Sequence, residues 1–426
     1  MSATGAATRG GPARPGGPDL AALARSLGGE GEVREAGPGD VVDGVPAAVV
    51  ARPTSIDGVS RVVREATGQG LVTVARGGAT ALDRAAPPER VDVVLDTTGL
   101  DRLVEHGAGD LVVVAEAGLR LRDLQAQLTG AGQELVAEVG RERFEGGSTV
   151  GGALATGASG PRRVLRHALR DLVLGTTVVL ADGTVAASGG KVVKNVAGYD
   201  LAKLMTGSYG TLGIIVRAAF RLHPVPVDRR FVVRSGALDE VADLARAVLG
   251  SQVAPAAVEI DRPAGSDEAT LAVLLEGGTD GVAARAAEVA DLIGGRLAEE
   301  PAWWDRAPDG AVSARATATL VGVREVLLAA RAAEQAHGTG VAVRGSAAGV
   351  LDVGIDGADV AGTVDRLRAA APDPREGTVV VLRAPAAIRE GLDAWGPVGG
   401  IELMRSIKER LDPGRNLAPG RFVGGI

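Results

Sequence analysis

A chain of 426 residues with 46% hydrophobic content is long enough for two cores and apolar enough to fill them. Its 46 basic residues are outweighed by 53 acidic ones, a net charge of −7 that argues against nucleic-acid binding, which needs a basic face. There is no cysteine, which excludes disulfides, thiolate catalysis and a cysteine-held iron–sulfur cluster within the chain; aromatics amount to 2%, so the cores must be aliphatic.

Residues 1–40 read as a flexible leader and a short helix. The opening MSATGAATRGGPARPGGPD is Gly, Pro and Ala without the apolar stretch of a signal peptide. Leu20, Leu23 and Leu27 have helical spacing, stopped by Gly28-Gly29. No uncharged apolar run reaches the ~18 residues of a membrane span. Ala47–Ala51 predicts a strand, Ser55–Thr67 a helix with Ile56, Val59, Val62 and Val63 on one side, and Leu71–Ala75 a strand leading into Arg76-Gly77-Gly78-Ala79-Thr80. Val91–Leu95 and Leu111–Val114 predict further strands, and Leu121, Leu124 and Leu128 mark a helix opened by Gly118. This order points to α+β rather than a regular doubly wound sheet.

Glycine is common here, 63 of 426, so only clusters carry information. One cluster is Gly146, Gly147, Gly151, Gly152, Gly157 and Gly160, interleaved with Ser148, Thr149, Thr156 and Ser159. A hairpin-like segment follows, then Gly207, Gly210 and Gly213. Such runs let backbone N–H groups close around an anion.

Pro224 and Pro226 mark a boundary. Beyond it strands and helices alternate: strands at Phe231–Arg234, Ala256–Ile260, Leu271–Leu275, Val341–Val343, Val350–Ile355 and Val379–Leu382, helices at Leu238–Leu249, Ala283–Ile293, Gly322–His337 and Val360–Ala371. Ile401–Leu411 predicts a last helix, ended by Asp412-Pro413-Gly414. The expected division is 1–40, 41–226, a second α+β domain over 227–400, and a tail over 401–426 returning to the first domain.

GxGxxG, GxxxxGK[ST], HExxH and EF-hand patterns are absent. The four histidines (His106, His167, His223, His337) lack metal-ligand spacing, and no Ser/His/Asp set stands out, so neither a metal site nor hydrolase chemistry is expected.

The ordered set is Arg76–Thr80, Asp96-Thr97-Thr98-Gly99-Leu100, Glu116-Ala117-Gly118, Ser148–Gly157, Asp171–Gly175 and Gly207–Ile215. In this order the chain resembles the FAD-binding domain of the vanillyl-alcohol oxidase or PCMH-type flavoproteins over Val41–Pro226, with an echo at Asp412–Gly420. A narrower resemblance, to the FAD-binding E subunits of bacterial glycolate oxidases, rests on Gly189–Gly213, centred on Lys194–Asp200.

The resemblance implies a two-subdomain FAD domain followed by a cap. Arg76, Gly77, Gly78, Ala79 and Thr80 would wrap the pyrophosphate with backbone N–H groups. Gly147, Ser148, Thr149, Gly151, Gly152, Thr156 and Gly157 would pass under the flavin, with Gly118, Gly213, Ile214 and Ile215 meeting it from neighbouring strands. No His lies within Arg76–Leu82 and no cysteine exists, so the FAD is expected to be non-covalent. The implied partners are a D-type FAD subunit and an iron–sulfur subunit in a cytoplasmic complex acting on glycolate or another 2-hydroxy acid. In related D-lactate and glycolate dehydrogenase chains, the resemblance implies, histidine-rich motifs in the second domain and tail supply the acid–base and metal groups. Here Pro224 is followed by His337 alone, with Arg344, Arg383 and Arg405 as candidate carboxylate binders, so the leading expectation is an accessory flavoprotein subunit that holds FAD while the D-type subunit oxidises the substrate. The alternatives are a self-sufficient FAD-linked oxidoreductase of another small alcohol and a non-redox scaffold. Catalytic residues are not assigned. Lys191, Lys194, Tyr199, Asp200 and Lys203 read first as a solvated helix face.

Overall fold

The computed structural model describes residues 17–190, 200–371, 373, 375–389 and 391–426. Lys191 to Tyr199, most of the segment on which the narrower resemblance is centred, lies outside them. Helices start where side chains cap them: Asp19 accepts from Ala22 N, and Ser55 Oγ accepts from Gly58 N at 2.9 Å. From Ser55 runs the helix Ile56–Gly68, which buries Val59, Val62, Val63 and Ala66.

That apolar stripe covers one face of a four-stranded sheet ordered Gly31–Glu35, Val49–Pro53, Val93–Asp96, Thr73–Arg76. The last three strands are parallel. Val49, Ala51, Val93 and Leu95 meet the helix, while Val50, Val74 and Val94 pack on the other side with Ala418. Burial on both faces explains the near-continuous Val/Ala/Leu runs.

A second, five-stranded antiparallel sheet is ordered Val185–Gly189, Val173–Val179, Ile214–Arg221, Val112–Glu116, Leu103–Gly107. One face buries Val113, Ala115, Ala218 and Phe220 against the helix Leu121–Thr129 and the short helix Val150–Ala155. Val179, Ile214 and Val216 join the core of the first sheet, so the two sheets form one body.

From Asp228 to Arg383 the chain builds an eight-stranded antiparallel sheet. The strand period of two sorts its residues. Val258, Ile260, Val341, Val343, Leu351 and Val353 lie under the helices Leu238–Gly250, Thr279–Ile293, Gly322–His337 and Val360–Ala369. Glu259, Asp261, Arg344 and Asp352 alternate with these residues and point away from the helices. The short helix Arg163–Arg166 of the preceding region packs on strand Ala257–Arg262, so this charged face is turned toward the glycine loops.

After the helix Ile401–Leu411 the chain returns to the first sheet. Leu417 bridges Thr73 in parallel, Thr73 N donates to Asn416 O at 2.7 Å, and Asn416 Nδ2 donates to Leu71 O at 2.9 Å. Lys408 is buried there, its Nζ bonded to Asp412 Oδ2 (2.6 Å), Thr211 O and Leu417 O (both 2.8 Å). All three of its donors are satisfied. No helix among the described residues is long and apolar enough to cross a membrane.

Candidate functional site

The strand Thr73–Arg76 ends in the first glycine loop. The guanidinium of Arg76 turns away from that loop into Asp40 (2.7 Å) and Asp96 (2.9 Å), fixing where the strand ends. Arg34 first, then Arg76 and the Gly37 amide, hold the Asp40 carboxyl far below its ordinary range. Beyond Arg76 the backbone presses on the second loop: a Cβ on Gly77 would lie 2.2 Å from Thr149 Oγ1. Thr80 and Ser148 hydroxyls join at 2.6 Å. Ala79 has φ 57°, the left-handed region that a non-glycine residue enters only when its surroundings impose it. Among the described residues, none of the amides of Gly77, Gly78, Ala79 and Thr80 donates a hydrogen bond to the chain. Four consecutive unpartnered N–H groups beside a buried loop are the donor set an anionic pyrophosphate requires.

The second loop is held from behind. Leu121 N donates to Ser148 O (2.9 Å), Val150 N to Leu119 O (2.9 Å) and Gly151 N to Ala117 O (2.7 Å). Thr149 caps the helix Val150–Ala155. Thr156 Oγ1 donates to Gly152 O at 2.8 Å and accepts from Arg143 at 3.2 Å, and Gly157 closes the helix at φ 59°. Gly118 N donates to Leu100 O at 2.8 Å, seating the turn after Asp96.

Beside these loops, between them and the charged face of the large sheet, is a cavity of about 400 Å³. Its floor includes Thr80, Thr156 and Gly160; its roof includes Glu259, Arg315 and Asp352. Arg315 is paired with Asp352 (2.8 Å). Arg84, Arg143 and Arg163 have no carboxylate partner among the described residues and meet only hydroxyl or carbonyl oxygens, or nothing. Burial, and the charge of the neighbouring arginines, push all three down, Arg143 to about 9. Among the described residues, Arg143 Nε and Ser159 Oγ are buried without hydrogen-bond partners. Unneutralised guanidinium groups and orphaned donors around one cavity make a site for an anion.

The structure thus brings Arg76–Thr80 and Gly147–Thr149 into contact, with Gly151, Gly152, Thr156 and Gly157 on the same helix and its end. Among the described residues, Gly213, Ile214 and Ile215 make no hydrogen bond to either loop; Ile214 and Ile215 bury their side chains in the two cores, leaving only backbone for a ligand. The arginines singled out in the sequence are occupied: Arg344 by Asp261 (2.7 Å), Arg383 by Asp83 (3.5 Å) and Arg405 by Glu402 (2.7 Å). The unpaired trio was missed because its members are scattered along the chain.

Comparison with known proteins agrees with this geometry. Residues 46–189 match the FAD binding domain family FAD_binding_4. The chain is 34% identical over 206 residues to the D-lactate dehydrogenase of Archaeoglobus fulgidus (47% of this chain, 45% of the relative). It is 39% identical over 145 residues to glycolate oxidase subunit GlcE of Escherichia coli K12 (33% and 41%). Against glycolate oxidase subunit GlcD of Bacillus subtilis it is 29% identical over 221 residues (51% and 46%). It spans less than half the length of these relatives. Among solved structures, alkyldihydroxyacetonephosphate synthase superposes with a TM-score of 0.65 at 17% identity, over 88% of this chain and 76% of that one. FgChi7B superposes with 0.65 at 14% identity, over 93% and 98%. At such identities the likeness concerns the fold. Residues 46–189 of this chain are therefore a PCMH-type FAD-binding domain, related to those of glycolate oxidase subunits and D-lactate dehydrogenases, and the cofactor of the domain is FAD.

Proposed function

We propose that this chain is an FAD-dependent oxidoreductase acting on glycolate or a related small 2-hydroxy acid, as one subunit of a cytoplasmic glycolate oxidase-like complex with a D-type FAD subunit and an iron–sulfur subunit. The observation that carries the reading is the cavity beside the glycine loops with Arg84, Arg143 and Arg163 unneutralised on its wall. A small carboxylate is the ligand that offsets such a cluster. The amides of Gly77–Thr80 hold the pyrophosphate, Gly147–Gly157 line the flavin, and Gly118 and Gly213–Ile215 support it through backbone. The attachment is non-covalent, since the first loop has no nucleophilic side chain of the type used for a flavin bond. Bound FAD supplies a two-electron acceptor for the hydrogen leaving the α-carbon. The chain's own part is to fix the carboxylate through the arginines and to keep bulk water out beneath the cap.

A second reading, an accessory subunit that holds FAD while a partner oxidises the substrate, is supported by relatives named as subunits and by the histidine-poor cap. His337 is tied to Asp359 at 2.6 Å. Anaerobic mixing of the FAD-loaded chain with glycolate and with D-lactate separates these. Bleaching of the flavin absorption by the chain alone supports the first reading, and bleaching only after adding D-type and iron–sulfur chains supports the second. A colourless protein that takes up no FAD would leave a scaffold and end both.

A further inference from the structure

Seven acidic residues border the cavity, and their partners sort them. Glu138 is paired with Arg162 (2.7 Å), Glu142 with Arg306 (2.8 Å), Asp352 with Arg315 (2.8 Å) and Asp83 with Arg383 (3.5 Å). Glu259 is buried, and that burial pushes its carboxyl well above the usual carboxylate range. Asp309 is exposed. Asp305 differs from all six. It is half-buried, and its carboxylate makes no hydrogen bond or ion pair among the described residues.

Its position is imposed. Asp305 has φ 51°, a left-handed conformation that a side-chain-bearing residue adopts only when its surroundings impose it. Its carbonyl accepts from Arg141 N at 2.7 Å, at the start of the helix Arg141–Glu145, which runs directly into Gly146-Gly147-Ser148-Thr149. The same segment of the cap is fastened by Arg306 to Glu142, by Arg141 to Glu300, and by Arg344 Nη1 donating to Ala307 O at 2.9 Å. A strained residue with a free carboxylate is thus held over the second glycine loop by the backbone that forms it.

We propose that Asp305 accepts the hydroxyl proton of the 2-hydroxy acid as that alcohol is oxidised to the carbonyl. The inference rests on the reading above in which this cavity takes the substrate. The balance is closed: the O–H and C–H bonds break, the proton goes to Asp305 Oδ, the carbinol hydrogen leaves with its electron pair to the flavin, and a C=O bond forms. The environment suits the task. Burial first, then the charges of Glu138 and Glu142, pushes the carboxyl up, while Arg141 and Arg162 pull it down, and the outcome is about 7. A base with that affinity is half ionised at neutral pH. The charged groups packed around it from both domains are these four, with Glu300 and Arg306 neutralising Arg141 and Glu142.

The test uses the full FAD-loaded chain without partner chains, so that only its own flavin is read. Wild-type flavin reduction by glycolate or D-lactate rises with pH to a plateau, with its midpoint near 7. Asp305→Asn lowers the rate roughly 10²–10⁴-fold and flattens the pH profile, and Asp305→Glu restores part of both. FAD content, and oxalate binding read from the flavin spectrum, stay within about twofold of wild type. An Asp305→Asn protein with the wild-type rate and midpoint overturns the proposal. So does one that loses FAD or oxalate binding, because the role would then be structural. A wild-type chain that binds oxalate but whose flavin is reduced by neither acid instead defeats the reading in which this cavity takes the substrate.

Discussion

A Cβ placed on Gly78 would sit 1.9 Å from the carbonyl oxygen of Gly147. The two glycine loops therefore touch backbone to backbone, and neither can yield without moving strand Thr73–Arg76 or the helix after Thr149. Gly78→Ala is expected to push them apart at a cost of about 1–3 kcal/mol, roughly 5- to 150-fold in FAD affinity. Gly109→Ala, at a position with open space around it, leaves affinity unchanged. Fluorescence titration of FAD into the apoprotein measures both.

Glu276 joins the cap to the FAD domain. Its fully buried carboxylate meets Arg162 (3.3 Å), Arg166 (3.1 Å) and Arg229 (3.0 Å), and Arg162 also holds Glu134 and Glu138. Glu276→Gln leaves those guanidinium groups short of a counter-charge. It should cost about 3 kcal/mol, read as a fall in the first urea transition with an earlier rise in proteolysis between the domains.

Lys408→Ala strands the buried Asp412 carboxylate, which then keeps only the amides of Asn416 and Leu417. A loss of about 3 kcal/mol is expected. Lys408→Met combined with Asp412→Asn should recover part of it, a coupling of roughly 0.5–3 kcal/mol in a double-mutant cycle.

His223 is buried, and its imidazole is pushed down to about 4, by burial first and then by Arg166 and Arg221. The folded state binds its proton less readily than the unfolded state. Its stabilising contribution is present above the ordinary histidine range and is lost as pH falls from about 6.5 toward 4. His223→Leu removes that increment, so the difference in Tm between wild type and variant should narrow across this window on acidification.

Much of the fold was legible. The helices Leu20–Leu27, Gly322–His337 and Ile401–Leu411 fall where spacing and punctuation put them, with Gly28 and Gly338 left-handed at their ends. The glycine loops were legible because backbone contact leaves no other residue type. The strand Val312–Thr317 was not, since it fills its core face with Val312, Ala314 and Ala316 and carries too little apolar bulk to signal a strand. Leu103–Gly107, an edge strand exposed along much of its length, gives no hydrophobic alternation. The arginine trio was illegible for a different reason. Arg84, Arg143 and Arg163 are ordinary surface residues in sequence, and only folding shows that no carboxylate reaches them while Arg344, Arg383 and Arg405 are all paired.

The hydrogen bond from Asn416 to Leu71 joins residues 345 positions apart, and it has a consequence for biosynthesis. While the ribosome is still making the cap, strand Thr73–Arg76 is an open sheet edge beside an unfinished cofactor loop. Domains generally fold as units, N-terminal first during synthesis, but the residues that pair with this edge, Asn416 and Leu417, are made only after the cap. The edge beside the first glycine loop is therefore completed from the far end of the chain, and a nascent chain stalled within the cap lacks the contacts of Asn416 and Leu417 to Leu71 and Thr73.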